Sequence, residues 1–346
     1  MSSLRDALER WPALPYPDWK ETCDALHLWS QIVGKYRLAR TPWVNHSWHA
    51  TLYPSARGLT TSLVPDAGGV EIELDLLDHA VVGATADGRR ARFELEPMSV
   101  ADFHARFVGL LGELGASPSF HGRPNEVPDP IPFTEDHRAR PYDRDAVGRY
   151  FQALVSVDRA LKRFRTAFLG KVSPVHLFWG SFDLAVTRFS GRRAPRHPGG
   201  VPGLPDEVTR EAYSHEVSSA GFWPGGAGTD FPAFYSYAYP APPGFSEARA
   251  LPDAAYYDET LGEFLLPYQA VRRARDPEAV LLAFLESTYR AAAELGRWDR
   301  AALECPMGVP LRPRSIDTGG MNAGPADTRP TDARPADTRP GARSDA

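Results

Sequence analysis

The run GKVSPVHLFWGSFDLAVTRFSG, Gly170 to Gly191, is apolar on average yet carries His176, Ser181 and Asp183 in its middle. Downstream, RHPGG places His197 beside Arg192, Arg193 and Arg196, and SHEVSS places His215 next to Glu216. Histidine with one or two carboxylates can move protons, so Asp183, Glu216, His197 and His215 form a candidate acid/base set. His176, His197, His215 and Asp183 are the corresponding ligand set if the chemistry uses a divalent metal, although their spacing matches no zinc pattern. Structural ion pairing of Asp183 or Glu216 with one of the arginines is the alternative for each residue singly.

A second group is aromatic. Trp179, Trp223, Tyr235 and Tyr237 combine apolar rings with polar handles, the composition of a small-molecule pocket, and the tyrosines of FYSYAY recur at a spacing of two and so share one strand face. Core packing explains the same aromatics equally well. In the first half NHSWH offers Asn45, His46 and His49. In an extended strand His46 and His49 point to opposite sides and cannot ligate one ion, which leaves Asn45 and His49 facing outward and His46 inward. No GxGxxG, P-loop, HExxH or GxSxG motif is present, and the glycine-rich WPGGAG lacks the lysine and helix of a phosphate cradle.

These residues need a scaffold. Apolar residues at helical spacing predict helices over 18–39 and 145–169, with two more at 99–114 and 277–295. Ser99 is the expected N-cap of the third, and Gly115 and Gly296 the left-handed C′ residues of the last two. Between them lie strand-like runs, WHATLY, VEIELDLL, HAVVGATADGRRARFEL, YSHEVSS and FYSYAYP. At an offset of 136 positions Gly34-Lys35 falls on Gly170-Lys171, Trp43 on Trp179, Thr51 on Thr187 and Arg57 on Arg193, which suggests an internal duplication. The expected fold is α+β: two related halves, each a helix, an antiparallel β-meander and a helix, over residues 1–120 and 146–304. Residues 121–145, rich in proline, form a connecting strap. Residues 305–346, a near-repeat of Pro, Ala, Asp, Thr and Arg, are expected to be disordered. Facing polar sheets would create a cleft lined by Asn45, His49, Ser181 and Asp183; a solvated sheet face is the simpler alternative.

The blocks TPWVNHSWH, PNEVPDPIPF, SPVHLFWGSFDLAVTRFSG, YSHEVSSAGFWPGG and FYSYAYP resemble a widespread bacterial family catalogued only as a domain of unknown function, over roughly residues 10–304. The resemblance implies a soluble bacterial protein and carries no activity, cofactor or catalytic residue.

Composition narrows the classes. Apolar residues make up 42% and charged residues 24% of 346 residues, ordinary for a globular chain, and the net charge of −5 argues against a nucleic-acid partner. The amino-terminal residues show no signal-peptide pattern and no window is long and apolar enough for a membrane span, which points to the cytoplasm. Cys23 and Cys305 show neither disulfide nor zinc spacing. Two functions follow: an acid/base or metal-assisted hydrolase-type enzyme with a polar site in the second half, or a non-catalytic small-molecule binding protein with an aromatic pocket.

Overall fold

Helix α1, Tyr16–Arg40, runs through the interior in the computed structural model, which describes residues 10–226 and 228–314. Trp29, Ile32, Val33 and Tyr36 are fully buried along it, as expected of a helix that contacts both α2 (Val100–Glu113) and α3 (Arg144–Arg165). Ser99 caps α2 in a reciprocal capping box with Asp102. Gly115 takes the left-handed conformation expected of it, with φ 67°, whereas Gly296 does not: Arg297 does, with φ 52°.

The protein is α+β with two antiparallel sheets. The first is a meander of β1 (Tyr53–Pro54), β2 (Gly58–Thr60), β3 (Val70–Asp75), β4 (Ala80–Thr85) and β5 (Arg90–Glu94) in chain order. Helix α2 packs on its β5 side. The second contains β6 (His176–Phe178), β7 (Asp183–Arg193), β8 (His215–Trp223), β9 (Ala233–Tyr239), β10 (Tyr256–Asp258) and β11 (Glu263–Pro267). Its order, β10-β11-β9-β8-β7-β6, departs from a simple meander because β11 inserts between β9 and β10. Among the described residues an antiparallel bridge, Leu52 to Leu177, joins the sheets edge to edge.

Helices α3 and α6 (Pro277–Leu295) contact one face of the second sheet. Leu184, Val186, Phe222, Phe234 and Phe264 belong to the core on that side. Strand periodicity therefore commits the odd-numbered residues of β7, β8 and β9 to the other face. Helix α4, Asp206–Ala212, lies in the connection between β7 and β8, and the short α5 (Tyr268–Arg272) and α7 (Arg300–Leu303) flank α6.

The run from Gly170 to Gly191 forms a hairpin, since Trp179 to Phe182 turn between β6 and β7 and Phe182 adopts φ 58°. Two expectations change. Residues 45–51 are no strand: Asn45–Ser47 form a 3-10 turn with His46 and Ser47 in the left-handed region. The gapless offset also joins unlike environments, for Trp43 is 53% exposed where Trp179 is 7% exposed, and Gly34 lies within α1 whereas Gly170 follows α3. Left-handed backbone at both His46 and Phe182 does recur at that spacing. The strap from 121 to its junction with α3 has no helix or strand. Of the segment from 305 onward, residues 305–314 are described and include a bridge between Val309 and Arg312; the rest of that expectation lies outside the described residues.

Candidate functional site

The odd-numbered face of the second sheet forms one wall of a cavity of about 590 Å³. Asp183, Thr187 and Phe189 come from β7, Val217, Ser219 and Trp223 from β8, Tyr235 and Tyr237 from β9, and Glu263 from β11. Gly221 has no side chain in this row, and a Cβ there would lie 2.5 Å from the Tyr235 hydroxyl oxygen. That gap lets the phenol reach across the sheet. Tyr235 donates to Asp183 Oδ2, and Ser181 donates to Asp183 Oδ1 at 2.5 Å. Trp223 stacks on Tyr235 at 4.4 Å between centroids, and Tyr235 on Tyr237 at 6.1 Å.

Helix α1 supplies Lys35 and Leu38 to the lining, and its residues 27, 31 and 35, four apart on one helical face, hold the elements around the cavity. His27 Nε2 lies 2.8 Å from the Gly180 carbonyl oxygen, so Nε2–H donates to it, and the ring stacks on Phe182. Gln31 donates to the Asn125 carbonyl at 2.9 Å and accepts from the Asn125 N–H at 2.7 Å. Lys35 Nζ donates to Asn125 Oδ1 at 2.7 Å and sits 5.3 Å from the Trp179 ring centroid. One helix face thus fixes both the β6–β7 turn and the proline-rich strap. Trp179 is tied down by its own N–H, which donates to the Ala50 carbonyl at 2.7 Å.

The strap brings Glu126 to the cavity. Its backbone is held at φ 56°, its N–H donates to Pro202 O at 3.2 Å, and its carboxylate lies over Gly180, where a Cβ would be 2.1 Å from Oε1. The loop preceding α4 closes the cavity with Val201, Leu204 and Pro205, and α4 adds Val208, Thr209 and Ala212. The 3-10 turn anchors α4: His46 N–H donates to Glu211 Oε2 at 2.8 Å, and its Nδ1 lies 2.7 Å from the Ala212 carbonyl. Nδ1–H therefore donates, leaving Nε2 to accept from Lys171 at 2.6 Å, a neutral tautomer consistent with the lowering of its pKa by burial.

Three carboxyl groups share this space. Burial raises the pKa of Asp183, opposed by the hydrogen bonds from Ser181 and Tyr235. Burial, then the charge of Asp183, raises Glu126 to about 7, with Lys35 opposing. Burial, then Asp183 and Asp258, raises Glu263 to about 8. Lys35 is lowered to about 8 by burial, with Glu126 opposing. Buried groups poised near neutrality in a cleft are the usual signature of a functional site. Four buried polar atoms on the lining residues have no hydrogen-bond partner among the described residues: Ser47 Oγ, Thr209 Oγ1, Trp223 Nε1 and Glu263 Oε2. Each such group costs stability unless something satisfies it.

Of the residues singled out from sequence, Asp183, Trp179, Ser181, Trp223, Tyr235 and Tyr237 line the cavity together, and His46 reaches its lining as well. Glu216, His197, His215, His176, Asn45 and His49 are not among its lining residues. Glu216 is held by Arg192 at 2.6 Å and by Ser190 at 2.8 Å. His197 accepts from the Gly199 N–H at 3.0 Å and stacks on Tyr213. His215 sits 3.0 Å from Ser214 Oγ and edge-on to His46. His176 is fully buried on β6 against Phe178, its pKa lowered by burial to about 3. Asn45 is exposed, and His49 is buried 3.2 Å from the Val44 backbone, so neither faces Asp183 across a cleft. The proposed metal set is therefore dispersed, and among the described residues no group of three His, Cys, Asp or Glu side chains is placed to hold a metal ion. Sequence reasoning missed Lys35, Glu126 and Glu263. The signals for them were slight: a lysine four residues after Gln31 on a buried helix, a glutamate inside PNEVP, and a glutamate opening the strand EFLLP.

Among the described residues no helix is long and apolar enough to cross a membrane. No curated protein and no solved structure matches the chain significantly. A family model does, over residues 11–305, and that span covers both sheets, the strap and every residue of the cavity. The chain belongs to DUF5996, a family of unknown function.

Proposed function

We propose that this protein binds a small organic molecule in the cavity between the second sheet, α1, the strap and α4. The observation that carries the reading is the combination of an aromatic wall, a hydrogen-bonded buried Asp183, and four orphaned polar atoms around a space of about 590 Å³. That volume suits a metabolite-sized ligand, and a few polar anchors in an apolar lining are how such sites fix orientation. Four of the lining residues are tryptophans, Trp43, Trp48, Trp179 and Trp223.

The acid/base enzyme is the second reading, favoured by the pKa values of Glu126 and Glu263, about 7 and about 8. A pair so poised can donate and accept protons near neutrality. In this version the two glutamates take the roles first considered for His197, His215 and Glu216.

A thermal-shift screen of metabolites against the full chain tests the binding reading, with Ser219→Phe as the control that fills the cavity from its sheet wall. A stabilising compound whose effect disappears in Ser219→Phe is the expected result. Stabilisers that act equally on both proteins would place the site elsewhere. Turnover of such a compound, lost in Glu126→Gln and Glu263→Gln, would favour the enzyme reading.

A further inference from the structure

We propose that the ligand is an organic cation, an amine or guanidinium on an apolar frame, whose charge is seated between Asp183 and Glu263 and whose frame lies against Trp223 and Tyr235. This rests on the cavity being a binding site and specifies its chemistry.

The charge inventory points there. Asp183, Glu126 and Glu263 all line the cavity, and among the described residues none of the three has a cationic side chain within salt-bridge distance. The lysine of the lining, Lys35, already donates to Asn125 Oδ1 at 2.7 Å and faces the Trp179 ring. An incoming anion would meet three carboxyl groups and oppose their ionisation, whereas an incoming cation would favour it. Buried carboxylates are ordinarily paired, and without a cation within reach these groups are pushed towards their protonated forms; a cation entering among them would be paired by their ionisation.

One observation locates the charge: Glu263 Oε2 is a buried acceptor with no donor among the described residues, on the strand next to Tyr235. Trp223, 8% exposed, keeps its indole N–H without a partner among the described residues on the same wall; as a donor it calls for an acceptor on the ligand's frame, not for the cation, and it leaves that wall unfinished without a further molecule. The stacked faces of Trp223, Tyr235 and Tyr237 are what an alkylammonium or guanidinium prefers, because the ring quadrupole presents negative charge to it.

Proton linkage adds a second readout. Glu263 is faced by Asp183, Asp258, Tyr213, Tyr235, Tyr237 and Tyr257, and Glu126 by Asp183, Lys35 and Tyr213. Lys35 is the cation in this set, and it bears on Glu126 alone. A bound cation favours the ionised carboxylates, so binding at neutral pH releases protons.

The test is calorimetric titration of the full chain with matched triads built on phenylethyl, indolylethyl and cyclohexylethyl frames, each ending in ammonium, hydroxyl or carboxylate. The ammonium member of at least one triad is expected to bind about tenfold or more tightly than its hydroxyl partner, with the carboxylate weakest. Heats should vary with the ionisation enthalpy of the buffer in the sense of proton release. In Glu263→Gln the advantage of the ammonium should fall severalfold and the proton release should shrink; Asp183→Asn, if it folds, should do the same. An ammonium that binds no better than its hydroxyl partner, or a carboxylate that binds best, overturns the proposal while leaving the cavity reading to the Ser219→Phe control. Absence of binding by all three ammonium compounds also overturns it.

Discussion

Replacing Glu263 by glutamine should stabilise the protein at alkaline pH and leave it unchanged at acid pH. In the folded state the Glu263 carboxyl is raised from 4.5 to about 8, chiefly by burial and then by Asp183 and Asp258. Below pH 4.5 the folded and unfolded chains both hold the proton, so carboxyl and amide differ little. Between pH 4.5 and about 8 the unfolded chain loses the proton that the folded chain keeps, and the stability of the parent falls by about 1.4 kcal/mol per pH unit. Above about 8 the buried carboxylate is ionised in both states and the full penalty is present. The shift corresponds to roughly 5 kcal/mol in a site that stays dry, and to about half that if water enters beside the charge. Urea unfolding of both proteins from pH 4 to 9.5 should therefore give curves that coincide at the acid end and diverge by about 2 to 5 kcal/mol at the other. Glu126, raised in the same direction, acts in both proteins and largely cancels in the comparison. A difference independent of pH would refute the reasoning. So would a parent that gains on the variant above pH 8, because that outcome requires a cationic partner for Glu263.

Two glycines offer further tests. Gly221→Ala places a methyl 2.5 Å from both Leu184 O and the Tyr235 hydroxyl, so it should cost about 1–3 kcal/mol in denaturant unfolding and displace Tyr235 from Asp183; an unchanged midpoint would contradict the packing described. Gly34→Ala would favour α1 by about 1 kcal/mol on propensity alone, yet its methyl would lie 2.2 Å from an indole ring fixed by the Trp179 to Ala50 hydrogen bond. Net destabilisation with altered tryptophan fluorescence is expected, and net stabilisation would show that Trp179 is not held against the helix.

Much of the scaffold was legible from local chemistry. The four long helices follow from apolar spacing, and the capping box at Ser99 fixes the start of α2. Prolines keep the strap out of regular structure. Strand parity gave Ser181 and Asp183 one face and the tyrosines of FYSYAY one face, and the fold brings both groups to the cavity, although Ser181 sits in the turn before β7. The errors came from non-local decisions. Residues 45–51 look extended by composition, but His46 and Ser47 in the left-handed region bend them into a turn that grips α4. The histidines drew attention as the residues that titrate near neutrality, yet burial and ring stacking put His176 and His197 to structural use. Conversely, Glu126 and Glu263 look like ordinary surface glutamates in sequence. Only the tertiary fold, which buries them beside Asp183, moves their pKa values towards neutrality.

The most direct test of the central claim is the indole N–H spectrum of the uniformly ¹⁵N-labelled full chain, recorded while the compound that stabilises it most is added. The Trp223 resonance, identified by its loss in Trp223→Phe, should move furthest and in saturable fashion, because its N–H has no partner among the described residues and Trp223 lines the cavity. Trp29, fully buried away from the cavity between Phe103 and Tyr142, should stay in place. A titration that leaves Trp223 and Trp179 unmoved would contradict the account and place binding outside this cavity.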